Sequence, residues 1–90
     1  MQSEVELIEE YASLFLTVEE IAILLNVDVQ ELRREIKGMT TERAKAYHRG
    51  KLTTTIELRK QTLQFARKGS PQAEAAMLDF LSKQKLSENG

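Results

Sequence analysis

Apolar residues recur every three or four positions through most of this 90-residue chain, which is the spacing of one face of an amphipathic helix. No stretch alternates apolar and polar residues as a half-buried strand would. The pattern therefore predicts an all-α fold. The expected helices cover about Ser3 to Phe15, the residues after Thr17, Val29 to about Lys37, a long segment from after Thr40 or Thr41 to Lys68, and a last segment to about Lys85.

Capping residues mark where these helices begin and end. Three pairs fit a capping box, in which a small acceptor is followed three residues later by Glu. They are Ser3 with Glu6, Thr17 with Glu20, and Asp28 with Glu31. Asn26 tolerates the left-handed conformation of a tight exit, and Gly38 is a good terminator. In "KGSPQA", Gly69 suits a helix end, Ser70 an N-cap and Pro71 a first helical position.

The second and third helices are joined by a turn of very few residues, within "TVEEIAILLNVDVQELRREI". A helix-turn-helix needs a small residue where its helices cross, which is Ala22, and a turn residue, which is Asn26. The same spacing also fits a purely structural three-helix cluster that involves no DNA. The apolar seam of a helix-turn-helix would consist of Ile21, Leu25, Val27 and Leu32. The structural cluster would consist of Ile8, Tyr11, Phe15, Ile21, Leu25, Val27, Leu32 and Ile36.

Charge is distributed unevenly along the chain, although the formal net charge is only −1. Residues 1–36 hold nine acids and two bases, whereas residues 37–90 hold eleven bases and five acids. The window from Arg33 to Lys51 contains seven bases and two acids, which makes it a candidate strip for phosphate contacts. Alternatively, these side chains only solvate exposed helix faces.

The third helix is expected to expose Val29 and a set of polar side chains. Gln can pair with adenine and Arg with guanine, while Arg and Lys also bind phosphates without sequence information. Glu31 is assigned to capping, and His48 to an exposed position near the basic strip. The predicted DNA-contacting residues are Gln30, Arg33, Arg34, Lys37, Arg43, Lys45, Arg49 and Lys51.

The long helix and the last helix are predicted to form an antiparallel hairpin with more apolar surface than two helices can bury. Contiguous exposed apolar surface usually marks an interface, so a homo-oligomer is expected. The alternative is a compact five-helix bundle with the long helix bent near Gly50. The predicted interface residues are Ile56, Leu63, Phe65, Met77, Phe80 and Leu81. The resulting domains are a head (residues 1–38), a hairpin (39–86) and a frayed tail (87–90).

The segments "LTVEEIAILLNV", "AYHRGK" and "ELRKQTLQFARKGSPQAEAAMLDFL" are together similar to small subunits of phage and prophage terminases. The resemblance covers about Leu16 to Leu81. The residues that carry it best are Tyr47, Gly50, Lys51, Leu58, Arg59, Ala66, Gly69 and Ala73. The head alone also resembles the helix-turn-helix of sigma-type transcription factors.

The terminase resemblance implies a DNA-packaging recognition protein. It would have a helix-turn-helix head, a helical oligomerisation region and a ring-like assembly that binds double-stranded DNA. The implied partner is a large subunit with ATPase and nuclease activity, although little follows the fifth helix to bind it. A small transcriptional regulator and a helical adaptor that binds protein instead of DNA are the alternatives.

The sequence gives no indication of an enzyme. Its single histidine, His48, and its lack of cysteine leave no Cys–His pair and no multi-histidine metal site. A glycine-rich phosphate loop is also missing, so no cofactor is expected. No apolar run approaches the roughly 18 residues of a membrane span, and the acidic N-terminus is unlike a signal peptide. The expected location is the cytoplasm of a bacterial host cell.

Overall fold

The computed structural model describes the backbone of residues 1–89 and the side chains of residues 1–84. This part of the chain is all-α and contains no strand. Its helices are α1 (Glu4–Ser13), α2 (Val18–Leu25), α3 (Val29–Gly38), α4 (Glu42–Arg67) and α5 (Pro71–Asn89). The predicted fold class is confirmed. The fifth helix extends to Asn89 instead of ending near Lys85, and the side chains of the predicted tail lie outside the described residues.

The predicted N-caps occupy their expected places. Ser3, Thr17 and Asp28 each accept a hydrogen bond from the backbone N–H three residues later. The second hydrogen bond of a capping box, from the N-cap N–H to the Glu side chain, forms only at Thr17. There the Thr17 N–H donates to Glu20 Oε1 at 2.8 Å. The carboxylate of Glu31 makes no such bond, so the capping role assigned to that side chain is wrong.

Helices α1, α2 and α4 end in the same Schellman arrangement, in which a residue with positive φ lets two N–H groups reach back to helix carbonyls. At α2 the residue is Asn26, with φ 56°, and at α4 it is Gly69, with φ 91°. At α1 it is Phe15, whose N–H donates to the Ala12 carbonyl oxygen at 2.9 Å. Phe15 is therefore exposed, and its predicted place in the apolar stripe is wrong.

Helix α3 ends one residue later than expected. Gly38 is its last residue, and Met39 takes the left-handed conformation, with φ 59°. At this helix end a single backbone hydrogen bond forms, from the Met39 N–H to the Glu35 carbonyl oxygen at 3.0 Å. The chain then enters α4, where the Thr41 hydroxyl accepts from the Ala44 N–H.

The chain divides into two compact units, residues 1–55 and residues 56–90. The core of the first unit contains residues from all four of its helices. These are Ile8, Ala12, Ile21, Ala22, Leu32, Ile36, Ala46 and Tyr47. Tyr11, Leu25 and Val27 pack against this core, as expected, but so does Val29, which was predicted to be exposed. The head therefore includes the first half of α4, which the predicted boundary at residue 38 leaves out.

Helices α1 and α4 pack closely and in parallel. Arg43 bonds to Glu4, Arg49 bonds to Glu9 and Thr54 bonds to the Ser13 carbonyl oxygen, so the contacts advance in the same direction along both helices. Gly50 is buried in the middle of this seam. A Cβ atom there would lie well under 3.0 Å from the Glu9 carbonyl oxygen. Its role is close approach between helices, and α4 continues through it unbroken.

The second unit consists of the end of α4, the turn at Lys68–Ser70 and α5. The Arg59 guanidinium lies 4.9 Å from the centre of the Phe80 ring. Because Arg59 and Phe80 are at similar distances along the chain from the turn, the two helices run antiparallel. The Ser70 hydroxyl accepts from the Ala73 N–H at 3.3 Å and caps α5 as expected. The predicted hairpin is present in this unit.

Candidate nucleic-acid interface

The connection between α2 and α3 consists of three residues, Asn26 to Asp28. Asn26 has φ 56° and ψ 46°, and the Val27 N–H donates to the Ala22 carbonyl oxygen at 3.0 Å. Asp28 then starts α3 at once by accepting from the Glu31 N–H at 2.9 Å. Ala22 is almost completely buried, so the small residue expected at the packed side of α2 lies where the sequence placed it. The turn thus fixes α3 firmly against α2.

One side of α3 packs into the head and the opposite side is exposed. Leu32 and Ile36 are buried, and Val29 is half-buried. Successive helical residues are about 100° apart, so Gln30, Glu31, Arg34 and Lys37 project away from this buried side. All four are exposed, and among the described residues Arg34 and Lys37 have no ion-pair partner. We call Gln30, Arg34 and Lys37, the three of these residues that could donate hydrogen bonds to DNA, the outer line of α3.

Arg33 lies at the flank of α3, between the buried side and the outer line. Its Nη2 donates to Oε1 of Glu19 on α2. The two side chains are 45% and 56% exposed, respectively, so the pair is at the surface. Arg33 therefore differs from Arg34, its neighbour in sequence, in having a carboxylate partner within the head.

Arg43 is held between two carboxylates. It bonds to Glu4 on α1, and its Nη1 lies 3.0 Å from Oε2 of Glu35 on α3. The hydrogen bond to Glu4 raises the pKa of Arg43 above its ordinary value, and this effect is larger than the opposing effect of burial or the further rise due to Glu35. A phosphate would have to displace both carboxylates, so Arg43 serves the α1–α4 seam.

The other predicted contacts on α4 also have partners within the head. Nη1 of Arg49 lies 3.1 Å from Oε1 of Glu9, and Nζ of Lys45 lies 3.7 Å from Oε1 of Glu42. The ammonium group of Lys51 lies 4.7 Å from the centre of the Tyr47 ring, a cation–π contact. The basic strip from Arg33 to Lys51 is thus not one continuous free surface. Within the part of the chain that the structure describes, the cations of this strip that lack a partner are Arg34 and Lys37.

His48 does not have the exposed position that the sequence predicts. It is half-buried, and its Nε2–H donates to the Ile36 carbonyl oxygen at 3.0 Å. Its ring also meets that of Tyr47 edge-on, with 5.4 Å between ring centres. His48 therefore satisfies a carbonyl at the end of α3 and ties that helix to α4. A lone histidine gave no sequence signal of this role.

The six predicted interface residues differ in exposure. Ile56, Phe65 and Leu81 are exposed, whereas Leu63, Met77 and Phe80 are half-buried in the hairpin. Two further leucines of this unit are exposed, Leu58 and Leu78, and Leu78 is 68% exposed. Leu58 lies seven residues before Phe65, which is two helical turns, so helical spacing places both on the same line of α4. Among the described residues of this unit only Ala73 is buried, and it is still 9% exposed.

Candidate metal ligands do not come together in the described part of the chain. Its histidine, aspartate and glutamate side chains form no group of three or more that could hold a metal ion. Within the same residues, no helix combines the length and apolar character needed to cross a membrane. Comparisons with models of known protein families, with curated proteins and with solved structures find no match.

Proposed function

We propose that the chain is a DNA-binding module that acts as a homo-oligomer, in the manner of a small terminase subunit that recognises viral or prophage DNA for packaging. The observation that carries the proposal is the outer line of α3. It presents one amide and two cations that have no ion-pair partner among the described side chains, on a helix that a three-residue turn and a packed core hold against α2. A helix of this kind fits the major groove, where Gln and Arg pair with base edges.

In the proposed contact, Gln30 and Arg34 reach base edges and Lys37 binds a phosphate. These few contacts make a single head a weak binder. The head also carries ten acidic and seven basic side chains, a net charge of −3 for residues 1–55, so at long range the head as a whole is repelled by DNA. Affinity must therefore come from several heads acting together.

The hairpin provides the means of joining heads. It exposes Ile56, Leu58, Phe65, Leu78 and Leu81 and buries little of its own. Burial of one large apolar side chain is worth roughly 1.5–3 kcal/mol, so association between hairpins is strongly favoured. Linked heads then bind neighbouring sites on one duplex with avidity. The packaging role and a large-subunit partner rest on the resemblance to terminase small subunits.

We expect the double variant Arg34→Ala/Lys37→Ala to lose most of its duplex affinity. Fluorescence anisotropy with a labelled duplex, repeated across salt concentrations, measures both affinity and contact number. Each lost phosphate contact makes the slope of log K against log salt less steep by about 0.9, and a base-contacting arginine is worth ~1–3 kcal/mol.

Lys60→Ala is the matched control, because Lys60 is an exposed cation of the hairpin without an ion-pair partner among the described residues. It removes charge without touching α3. If this control weakens binding as much as the double variant does per charge removed, then α3 is not the contact surface.

A helical adaptor that binds protein is the second candidate, and a specific observation favours it. Ile23 and Leu24 project from α2 and are 77% and 55% exposed, on a head whose net charge is negative. An adaptor would keep its partner when Arg34 and Lys37 are replaced, and it would show no salt-dependent binding to duplex DNA.

A further inference from the structure

The ion pair between Glu19 and Arg33 has a consequence for what α3 can bind. Arg33 is close enough to the outer line to reach a DNA backbone if its side chain were free. Its guanidinium is instead bonded to a carboxylate on α2, and both partners remain in contact with solvent. The bond thus directs Arg33 toward α2 and neutralises its charge where α3 would meet DNA.

An unpaired arginine at this flank would attract any phosphate, because backbone contacts carry no sequence information. It would raise affinity for every duplex alike and so reduce the ratio of specific to non-specific binding. The neighbouring Arg34 has no carboxylate partner within the described residues and stays available. Of these two adjacent arginines on α3, Arg33 is therefore paired with a carboxylate and Arg34 is available to bind DNA.

We infer that Glu19 is a specificity-determining residue of the head, which withholds Arg33 from phosphate and leaves contact to the outer line of α3. This inference rests on the proposed DNA-binding function. Glu19 acts as a positioning residue, since its effect on DNA passes entirely through Arg33. Its neighbour Glu20 has a different role, because that carboxylate accepts the Thr17 N–H in the capping box.

A double-mutant cycle with Glu19→Gln and Arg33→Ala tests the inference by anisotropy on a duplex of arbitrary sequence. Glu19→Gln should free Arg33 and tighten binding by up to roughly fivefold, since an exposed ion pair is worth ~0.2–1 kcal/mol. It should also steepen the salt slope by about 0.9. In the Arg33→Ala background the same change should have no effect. Arg33→Ala alone should leave the slope unchanged, whereas Lys37→Ala, which removes the proposed phosphate contact, should make it less steep by about 0.9.

Glu10→Gln is the matched control, because it removes one negative charge from an exposed residue of α1 that forms no ion pair among the described residues. Equal effects of Glu10→Gln and Glu19→Gln would overturn the inference, as would an effect of Glu19→Gln that persists without Arg33. A loss of slope in Arg33→Ala would also overturn it. If the wild-type protein binds no duplex at any salt concentration, the proposed function itself fails, which is a distinguishable result.

Discussion

Gly50→Ala should destabilise the head by roughly 2–3 kcal/mol, toward the upper part of the range for inserting a methyl group into a packed site. The added Cβ would meet the Glu9 carbonyl oxygen well under 3.0 Å away, and the Ala12 Cβ and Ser13 nitrogen at 3.0 Å. Two of these atoms belong to the backbone of α1, which cannot rotate aside as a side chain does. The ion pair of Arg49 with Glu9 further limits the separation of the helices.

Thermal unfolding followed by circular dichroism measures this effect, with a decrease in Tm of roughly 10–20 °C expected for a domain of this size. Protein concentration must be constant, because association shifts Tm. Gly38→Ala is the control, since nothing lies within 4 Å of a Cβ at that position in α3. It should raise stability by up to ~1 kcal/mol, because Ala favours helix over Gly. Equal Tm values for the two variants would contradict the close packing of α1 on α4.

If the chain forms the proposed homo-oligomer, replacing Phe65 and Leu81 by Glu should convert it into a monomer of 10.3 kDa. Both side chains are exposed on the hairpin. In the proposed oligomer they are buried against neighbouring chains. Two carboxylates at such an interface would lose hydration without gaining partners, a cost of several kcal/mol. Size exclusion coupled to light scattering gives the mass of each variant directly.

Ile23→Glu is the matched control for this experiment. Ile23 is more exposed than Phe65 or Leu81, but it lies on α2, outside the proposed interface. Its replacement should leave the oligomer mass unchanged. The proposal of a hairpin interface fails if the wild-type chain is a monodisperse 10.3 kDa monomer at high micromolar concentration, or if only Ile23→Glu dissociates the assembly.

Local features of the fold were predictable because their causes are local. The N-caps at Thr17 and Asp28, the left-handed Asn26 and the Gly69–Ser70–Pro71 turn each depend on residues within one helical turn. The inward positions of Leu32 and Ile36 follow from helical spacing alone. The all-α class follows from the sum of these signals.

Features that depend on contacts between distant residues were missed. Phe15 has no sequence feature that favours positive φ, and it takes that conformation because the chain must turn from α1 into α2. Gly50 resembles a helix breaker in sequence, although it permits close approach to a helix about 40 residues earlier. The basic strip looked continuous because three of its four arginines pair with carboxylates that lie 14 to 40 residues earlier in the sequence. These carboxylates belong to Glu4, Glu9 and Glu19.

The salt dependence of duplex binding by the intact wild-type protein is the decisive measurement for DNA recognition. Fluorescence anisotropy at salt concentrations from about 50 to 200 mM should show log K falling linearly with log salt, with a slope of about −0.9 for each phosphate contacted. Binding should be strongest when the oligomer is intact. No salt-sensitive binding, with protein in excess and the oligomer confirmed by mass, would contradict the assignment of this chain to DNA recognition.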